Sequence, residues 1–175
     1  MKHLPIWGAL ALSIGLAAPA VAHHSFAMFD TSKQVMVEGT VESWAFNNPH
    51  AWLFITLKNE AGEDQRWGFE GSAPVSQISR GITGDTFRPG DVVRVVMCPL
   101  RDGRNGGHMA FVKLPDGTVV TPNDAGCPAG ENVTKWQTEG WLDGAANFEA
   151  HLIEGKETPS ALQSSPTGNA ATPAQ

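Results

Sequence analysis

The sequence has 175 residues, of which 12 are Lys or Arg and 18 are Asp or Glu, so its formal net charge at pH 7 is −6. An acidic chain binds nucleic acid poorly because the neutralisation of phosphates needs a basic surface, and we expect no nucleic-acid partner. The sequence also lacks the short motifs of serine hydrolases, phosphate-binding loops, dinucleotide-binding folds and zinc proteases. These observations disfavour an ordinary hydrolase and favour a binding protein that is not an enzyme.

Residues 1–22 have the pattern of a secretory signal peptide. Lys2 supplies a positive charge, an apolar run extends from Leu4 to Leu16, and Ala20-Val21-Ala22 gives a small-x-small cleavage pattern. The alternative is an uncleaved membrane anchor, but the run is short for a span of about 20 apolar residues. We therefore expect cleavage before His23, a periplasmic or secreted protein, and no membrane span after cleavage.

Alternation of apolar and polar residues predicts five strands and a short closing strand. In the second strand, for example, Leu53, Ile55 and Leu57 share one face. After Pro74 the apolar spacing changes from two residues to that of a helix. The predicted strands are residues 34–46, 50–59, 65–71, 91–99 and 108–115, the closing strand ends at residue 120, and the predicted helix is residues 74–82.

The order of these elements predicts an all-β fold: a small five-stranded OB-like Greek-key barrel with one short helix between strands 3 and 4. An SH3-like barrel is the alternative, although it does not need the helix. An immunoglobulin-like sandwich would need about seven strands. We expect the barrel and an N-terminal arm to occupy residues 23–122, an irregular extension residues 123–155, and a disordered tail residues 156–175.

The two cysteines, Cys98 and Cys127, both follow the predicted cleavage site. In an oxidising compartment an even pair predicts a disulfide, which would stabilise the fold by about 3–4 kcal/mol in the chain-entropy model. The alternative is a thiolate metal site. The Met97-Cys98 pair also leaves open a Cu(I) site, since soft sulfur ligands suit that ion.

Five histidines follow the predicted cleavage site: His23, His24, His50, His108 and His151. Cleavage before His23 would place a free α-amino group beside its imidazole. Such a residue chelates a metal through its amino nitrogen and a ring nitrogen, and one further imidazole completes a flat set of three nitrogens. Because this tetragonal coordination suits Cu(II), copper is the expected metal, and no other cofactor is expected.

An OB-like barrel would bring two distant histidines to one face. His50 closes the loop between strands 1 and 2, His108 closes the loop between strands 4 and 5, and these loops flank the binding face of OB folds. The arm that carries His23 and His24 has about ten residues before strand 1, enough to span roughly 33 Å. We expect His23 and His50 to bind the metal, with His24 or His108 as a further ligand.

The same residues have structural interpretations. His23 and His24 are consistent with a frayed terminus, or with an extra edge strand whose anchors are Phe26, Met28 and Phe29. A turn residue at position 50 and surface residues at positions 108 and 151 are ordinary uses of histidine. Around the turn that contains His50, we expect Trp44, Asn48 and Trp52 to form a binding face, and the alternative for the two tryptophans is packing at the core or its rim.

Several of these motifs together resemble a family. The stretches "AHHSFAMFD", "VEGTVESWAFNNPHAWLFI", "RPGDVVRV" and "PLRDG" are similar to a family of small exported bacterial proteins known as a domain of unknown function. The resemblance covers about residues 23–120 and is carried above all by His23-His24-Ser25-Phe26 and Asn48-Pro49-His50. It implies an exported, β-rich domain and brings no activity, substrate or cofactor. The cysteines and His108 lie outside the family pattern, so their roles rest on this sequence alone.

The sequence therefore predicts an exported binding protein of unknown pathway that binds copper through the histidine at its mature N-terminus. The alternative is a non-metal adaptor that binds a protein or small molecule on the barrel face. A weaker alternative is an oxidase or reductase that uses bound copper. A free amino group at His23 separates the first function from the second, because only the metal site needs it.

Overall fold

The computed structural model describes residues 26–123, 126–152 and, for the backbone alone, 159–161. The strands are β1 (Lys33–Ala45), β2 (Trp52–Lys58), β3 (Asp64–Glu70), β4 (Val92–Pro99), β5 (Gly106–Lys113), β6 (Val119–Val120), β7 (Phe148–His151) and β8 (Pro159–Ala161). The helices are α1 (Pro74–Ile78) and α2 (Gly130–Thr138), with 3-10 turns at Phe26–Met28 and Trp141–Asp143. The described part of the chain is thus mostly β with few helices, and none of its helices has the length and apolar character needed to cross a bilayer.

Five strands are joined by a closed ring of pairings. Strand β1 is antiparallel to both β2 and β4, β2 is antiparallel to β3, and β4 is antiparallel to β5. The ring closes where β3 and β5 run parallel over three residue pairs, from Gly68 with Gly106 to Glu70 with His108. Outside the ring, β6 extends β5, β7 extends β1 and β8 extends β7.

The inner faces of the ring strands form the main core. Leu53, Ile55 and Leu57 of β2 are buried there, as their alternation predicts, and Phe69 of β3 lies beside them. Two residues from the β3–β4 connection, Ile82 and Phe87, are also in this cluster. The core therefore lies inside the ring, and the alternate residues of each strand face outward.

A second core lies on the outer side of β1, β4 and β5. Trp136 of α2 is fully buried there against Phe111, and its indole N–H donates to Gln34 Oε1 at 2.8 Å. Met36 and Val96 complete the contact from the strand side. Because this cluster covers the outer face of β1, that strand is buried on both sides over most of its N-terminal half.

The ring strands lie within two residues of their predicted positions. The predicted helix is shorter than expected: α1 ends at Ile78, and the chain turns through Gly81, whose φ is 78°, before Ile82 enters the core. Helix α2, a 3-10 turn and β7 lie where the sequence analysis expects irregular structure, and β8 lies in the predicted tail. The helix α2 lacks the usual sequence signals, since Ala129 is its N-cap and makes no side-chain cap bond.

Candidate functional site

Four outward-facing side chains form a row across the ring near one end. Trp52 of β2 lies opposite Glu70 of β3, Glu70 lies beside His108 of β5, and His108 lies opposite Cys98 of β4. Residues that are paired in neighbouring strands project to the same face of a sheet, about 5 Å apart. The row therefore brings one of the predicted metal ligands next to a carboxylate that the sequence analysis does not single out.

His50 lies at the β2 end of this row. It follows a cis peptide bond between Asn48 and Pro49, and its Nδ1 lies 3.2 Å from Glu70 Oε1 and 3.1 Å from Gly71 O. Both of these oxygens are acceptors, so Nδ1 carries the proton and Nε2 carries the lone pair. A histidine that binds a metal has this arrangement, in which a carboxylate or carbonyl holds one ring nitrogen and the other nitrogen binds the metal.

His108 has the same arrangement but is fully buried. Its Nδ1 lies 3.1 Å from Met109 O, which assigns the lone pair to Nε2. The rings of Phe26 and Phe29 contact its imidazole edge-on, with ring centroids 5.4 and 5.3 Å away. The sequence analysis places His108 at the end of the β4–β5 loop, as the first residue of the fifth strand; it is the third residue of β5 and lies under the N-terminal arm.

The N-terminal arm, residues 26–32, is fixed over His108 by backbone bonds to the end of β4. Asp30 N–H donates to Pro99 O at 2.8 Å, and Arg101 N–H donates to Met28 O at 2.9 Å. On its other side, Phe26 packs against Gly126, where an added side chain would overlap the ring. The arm thus lies between the residues that follow Cys98 and the residue that precedes Cys127.

Asp30 fixes the turn that leads from the arm into β1. Its Oδ1 accepts hydrogen bonds from Ser32 Oγ at 2.6 Å and from Ser32 N–H at 3.2 Å. These bonds, the one from the hydroxyl first, hold the pKa of Asp30 below its ordinary value of 3.8. A carboxylate with a pKa lowered by folding stabilises the folded state above that value, and the contribution is lost as the pH falls through the lowered pKa.

We expect Asp30→Asn to lower the free energy of unfolding by about 0.5–1 kcal/mol at neutral pH, because the charged acceptor is lost. The difference from the natural protein should shrink below pH 3.8, where the natural carboxyl group also becomes neutral. Urea unfolding at about pH 7 and about pH 3 measures both values. An equal difference at the two pH values would contradict this assignment.

The two cysteines form a disulfide, as predicted. The Cα atoms of Cys98 and Cys127 are 5.7 Å apart, and neither residue is a free thiol. The bond joins the outer row to the segment that precedes α2, where Gln34 Nε2 also donates to Pro128 O. The alternative of a thiolate metal site does not hold, because a disulfide leaves no thiolate to bind a metal.

A groove lies beside the row, on the outer face of β2 and β3. Trp52 and Phe54 line it from β2, Arg66 and Gly68 from β3, Met28 from the arm and Arg104 from the β4–β5 loop, and its volume is about 310 Å³. The sequence analysis places Trp52 on a binding face and misses the other residues of the groove. The outward position of Arg66 follows from the alternation of residues along β3. That Arg104 lines the same groove depends on the pairing of β3 with β5, which the sequence does not reveal.

The remaining predicted site residues lie away from this row and groove. Trp44 packs against Phe46 and Phe87, and its indole N–H donates to Thr83 O at 2.9 Å, so it belongs to the rim of the core. Asn48 is exposed on the turn before His50. His151 lies on β7, where its Nε2 is 2.8 Å from Glu149 Oε1.

The donor set for a metal is incomplete within the described residues. Across residues 26–123 and 126–152, no group of three or more His, Cys, Asp or Glu side chains lies close enough together to hold a metal ion. His23 and His24 lie outside the described residues. A metal site at this face would therefore combine His50 or His108 with nitrogen atoms from residues before Phe26.

A protein-family model described as "Family of unknown function (DUF6152)" matches residues 11–109, which are 99 of the 175 residues. The chain belongs to the DUF6152 family. Neither curated proteins nor solved structures give a significant match to it.

The DUF6152 match includes every position predicted to bind the metal: His23, His24, His50 and His108. It also includes the arm, the ring strands β1 to β4 and the start of β5. Cys127, α2 and β7 lie beyond the matched range, so the family match covers the outer row and not the segment to which the disulfide joins it.

Proposed function

We propose that this DUF6152 protein is exported to the periplasm and binds copper there through the histidine at the N-terminus of its mature chain. The observation that carries the proposal is the shared arrangement of two imidazoles. His50 and His108 are both next to Glu70, and in each the Nδ1 atom is held by an oxygen acceptor. In this proposal Nε2 is the atom of each ring that would bind the metal.

We also propose that the ring of strands is a barrel of the OB type. The parallel pairing of β3 with β5 and the position of α1 between β3 and β4 support this proposal. In such a barrel the loops after β1 and β4 flank the ligand-binding face. His50 lies near the end of the first of these loops, and two residues of β5 separate the second loop from His108.

The proposal requires that the residues before Phe26 can reach the face that carries His108. Phe26 contacts the ring of His108, and His23 precedes Phe26 by three residues. Three residues of extended chain span at most about 11 Å. The α-amino group and imidazole of His23 are therefore within chain reach of this face, and His24 is nearer by one residue.

The proposed donor set is the α-amino nitrogen and a ring nitrogen of His23, with Nε2 of His50 as the third nitrogen and His24 or His108 as a further ligand. Three nitrogens in one plane match the tetragonal preference of Cu(II). Glu70 would orient His50 and raise the basicity of its ring through the Nδ1 contact. Removal of a supporting group of this kind typically weakens metal binding about ten- to hundredfold, and removal of a ligand weakens it at least as much.

We expect the chain that begins at His23 to bind one Cu(II), and His50→Ala to raise the dissociation constant by at least about tenfold. One Gly added before His23 should have a similar effect, because it moves the amino group away from the imidazole. Binding should weaken as the pH falls below about 8 and further near about 6.5, where the α-amino group and the imidazole of His23 take up protons. Competition titration with a chelator of known copper affinity measures each value.

His151→Ala is the matched control, because its side chain lies on β7 and is about 40% exposed. It should bind Cu(II) like the natural chain. The circular dichroism spectrum of every variant should be unchanged, which separates loss of a ligand from loss of the fold. Equal copper affinity of the natural chain, the Gly-extended chain and His50→Ala would refute the metal site at His23.

A second candidate function is an adaptor that binds a partner without metal on the face that carries Trp52. The groove beside the outer row favours this candidate, because Trp52 and Met28 are 37% and 47% exposed there. Exposed large apolar side chains that share one groove are typical of binding sites. If the second function holds alone, a partner should bind the Gly-extended chain and the natural chain with the same affinity.

A further inference from the structure

The groove has a flat apolar floor. The rings of Trp52 and Phe54 are nearly parallel, at 15°, with centroids 6.1 Å apart. Gly68 lies opposite Phe54 in the strand pairing, and a Cβ atom at Gly68 would lie only 3.0 Å from the Phe54 ring. The absence of a side chain at Gly68 therefore lets the Phe54 ring lie against the strand, and the indole of Trp52, which is 37% exposed, offers an aromatic surface to another planar group.

The charged residues of the groove are basic. Arg66 and Arg104 line it, and none of the described residues that line it is acidic. The guanidinium carbon of Arg66 lies 4.0 Å from the centroid of the Phe54 ring, so the charge is held against the floor. This basic groove stands out on a chain whose formal net charge is −6.

Both arginines keep donors for a ligand. Arg66 uses Nε to bind Glu42 at 2.7 Å, and Arg104 uses Nε to bind Asp102 at 2.8 Å. A guanidinium group has five N–H donors, and four of them are on the terminal nitrogens. The backbone and side-chain N–H groups of Arg104 also hold the pKa of Asp102 below its ordinary value, so the Asp102 carboxylate stays charged and orients Arg104 at neutral pH.

We infer that the groove binds a small organic anion with a flat apolar part, such as an aromatic carboxylate or sulfonate. The flat part would stack on the exposed indole of Trp52, and the anionic group would accept hydrogen bonds from the terminal N–H groups of Arg66 or Arg104. A volume of about 310 Å³ is at the lower end of the range for small-molecule sites, which favours a small ligand over a protein. The inference goes beyond the copper site and needs no metal.

The test uses two fluorescent probes that differ chiefly in charge: 8-anilinonaphthalene-1-sulfonate and the uncharged N-phenyl-1-naphthylamine. The purified protein is first treated with a chelator and dialysed, so that metal plays no part. We expect saturable binding of one sulfonate probe per chain. Arg66→Gln and Arg104→Gln should each raise its dissociation constant by about fivefold or more, because a charge-assisted hydrogen bond is lost, while the weaker binding of the neutral probe should not change.

Two further variants complete the experiment. Arg88→Gln removes an exposed arginine from the turn before β4 and should leave both probes unaffected. Trp52→Ala should weaken the binding of both probes, because it removes one of the two rings of the floor.

Equal affinity for the two probes, or unchanged sulfonate binding in both groove arginine variants, would overturn the inference. If Arg66→Gln unfolds because Glu42 loses its partner, Arg104→Gln on the loop decides the outcome alone. If the natural chain that begins at His23 bound the sulfonate probe and no Cu(II), the metal site would be refuted and this inference would stand.

Discussion

We expect Gly106→Ala to lower the free energy of unfolding by at least about 3 kcal/mol, or to prevent folding. Gly106 has a φ of 146°, a backbone angle that residues other than glycine rarely adopt. A Cβ atom there would overlap the carbonyl oxygen of Gly68. The two glycines form the first pair of the parallel contact between β3 and β5. The new methyl group would therefore push apart the strands that close the ring. Denaturant unfolding followed by tryptophan fluorescence measures the loss.

Gly103→Ala is the matched control. Gly103 lies in the loop that precedes Gly106 and also has a positive φ, of 78°, but a Cβ atom there would meet no atom within 4 Å. Its substitution should cost only the backbone strain, about 1–2 kcal/mol. If Gly106→Ala were no more destabilising than Gly103→Ala, the close approach of β3 and β5 would not be essential to the fold.

The second large effect concerns the disulfide. We expect the double variant Cys98→Ala, Cys127→Ala to lose about 3–4 kcal/mol of the free energy of unfolding, because the bond closes a loop of 29 residues in the unfolded chain. Both sulfur atoms are also fully buried in the outer core, so their loss removes packing between the ring and the segment before α2. Urea unfolding of the natural and variant proteins measures the difference.

Reduction supplies the control for this prediction. A dithiol reductant should lower the stability of the natural protein toward that of the double variant and should leave the double variant unchanged. A double variant within about 1 kcal/mol of the natural protein would contradict the prediction. It would show that the contacts of Gln34 and Trp136 hold the outer segment without the bond.

The ring strands were predictable because buried and outward-facing residues alternate along them. Leu53, Ile55 and Leu57 are buried on one side and Trp52 and Phe54 face outward, which is what their alternation predicts. Strand β5 begins two residues earlier than predicted, at Gly106. A pair of glycines normally indicates a loop. Here Gly106 and Gly107 both lie in the strand, because the backbones of β3 and β4 come too close to them to leave room for side chains.

The outer layer was not predictable from local pattern. The position of α2 depends on Trp136, whose indole contacts Gln34 and Phe111 from distant parts of the chain. A helix of nine residues with no cap signal has little stability of its own and forms through such contacts. Sequence periodicity detects the faces of strands and long helices, and it carries no information about a buried tryptophan that joins two layers.

The site was predictable in part, for a related reason. The order of the strands places β3 beside β5, so that Glu70 of β3 lies next to His108 and also within 3.2 Å of His50. Glu70 was not singled out, since a carboxylate at the end of a strand is usually solvated, and only the register of β3 with β5 places it between the two imidazoles. The cover that Phe26 and Phe29 form over His108 also depends on tertiary contacts, which no spacing in the arm reveals.

The position of β1 in the sheet has a consequence for the order in which the protein folds. Its residues Lys33 to Met36 pair with Phe148 to His151, so part of the first strand acquires a hydrogen-bonded neighbour more than one hundred residues later in the chain. Contacts between residues so far apart raise the contact order, and folds of this kind form in milliseconds to seconds rather than microseconds. Until β7 arrives, an apolar strand edge is open to other chains, which is a hazard for aggregation. A chain shortened before Phe148 would keep that edge permanently, and it should aggregate at concentrations at which the longer chain stays dispersed.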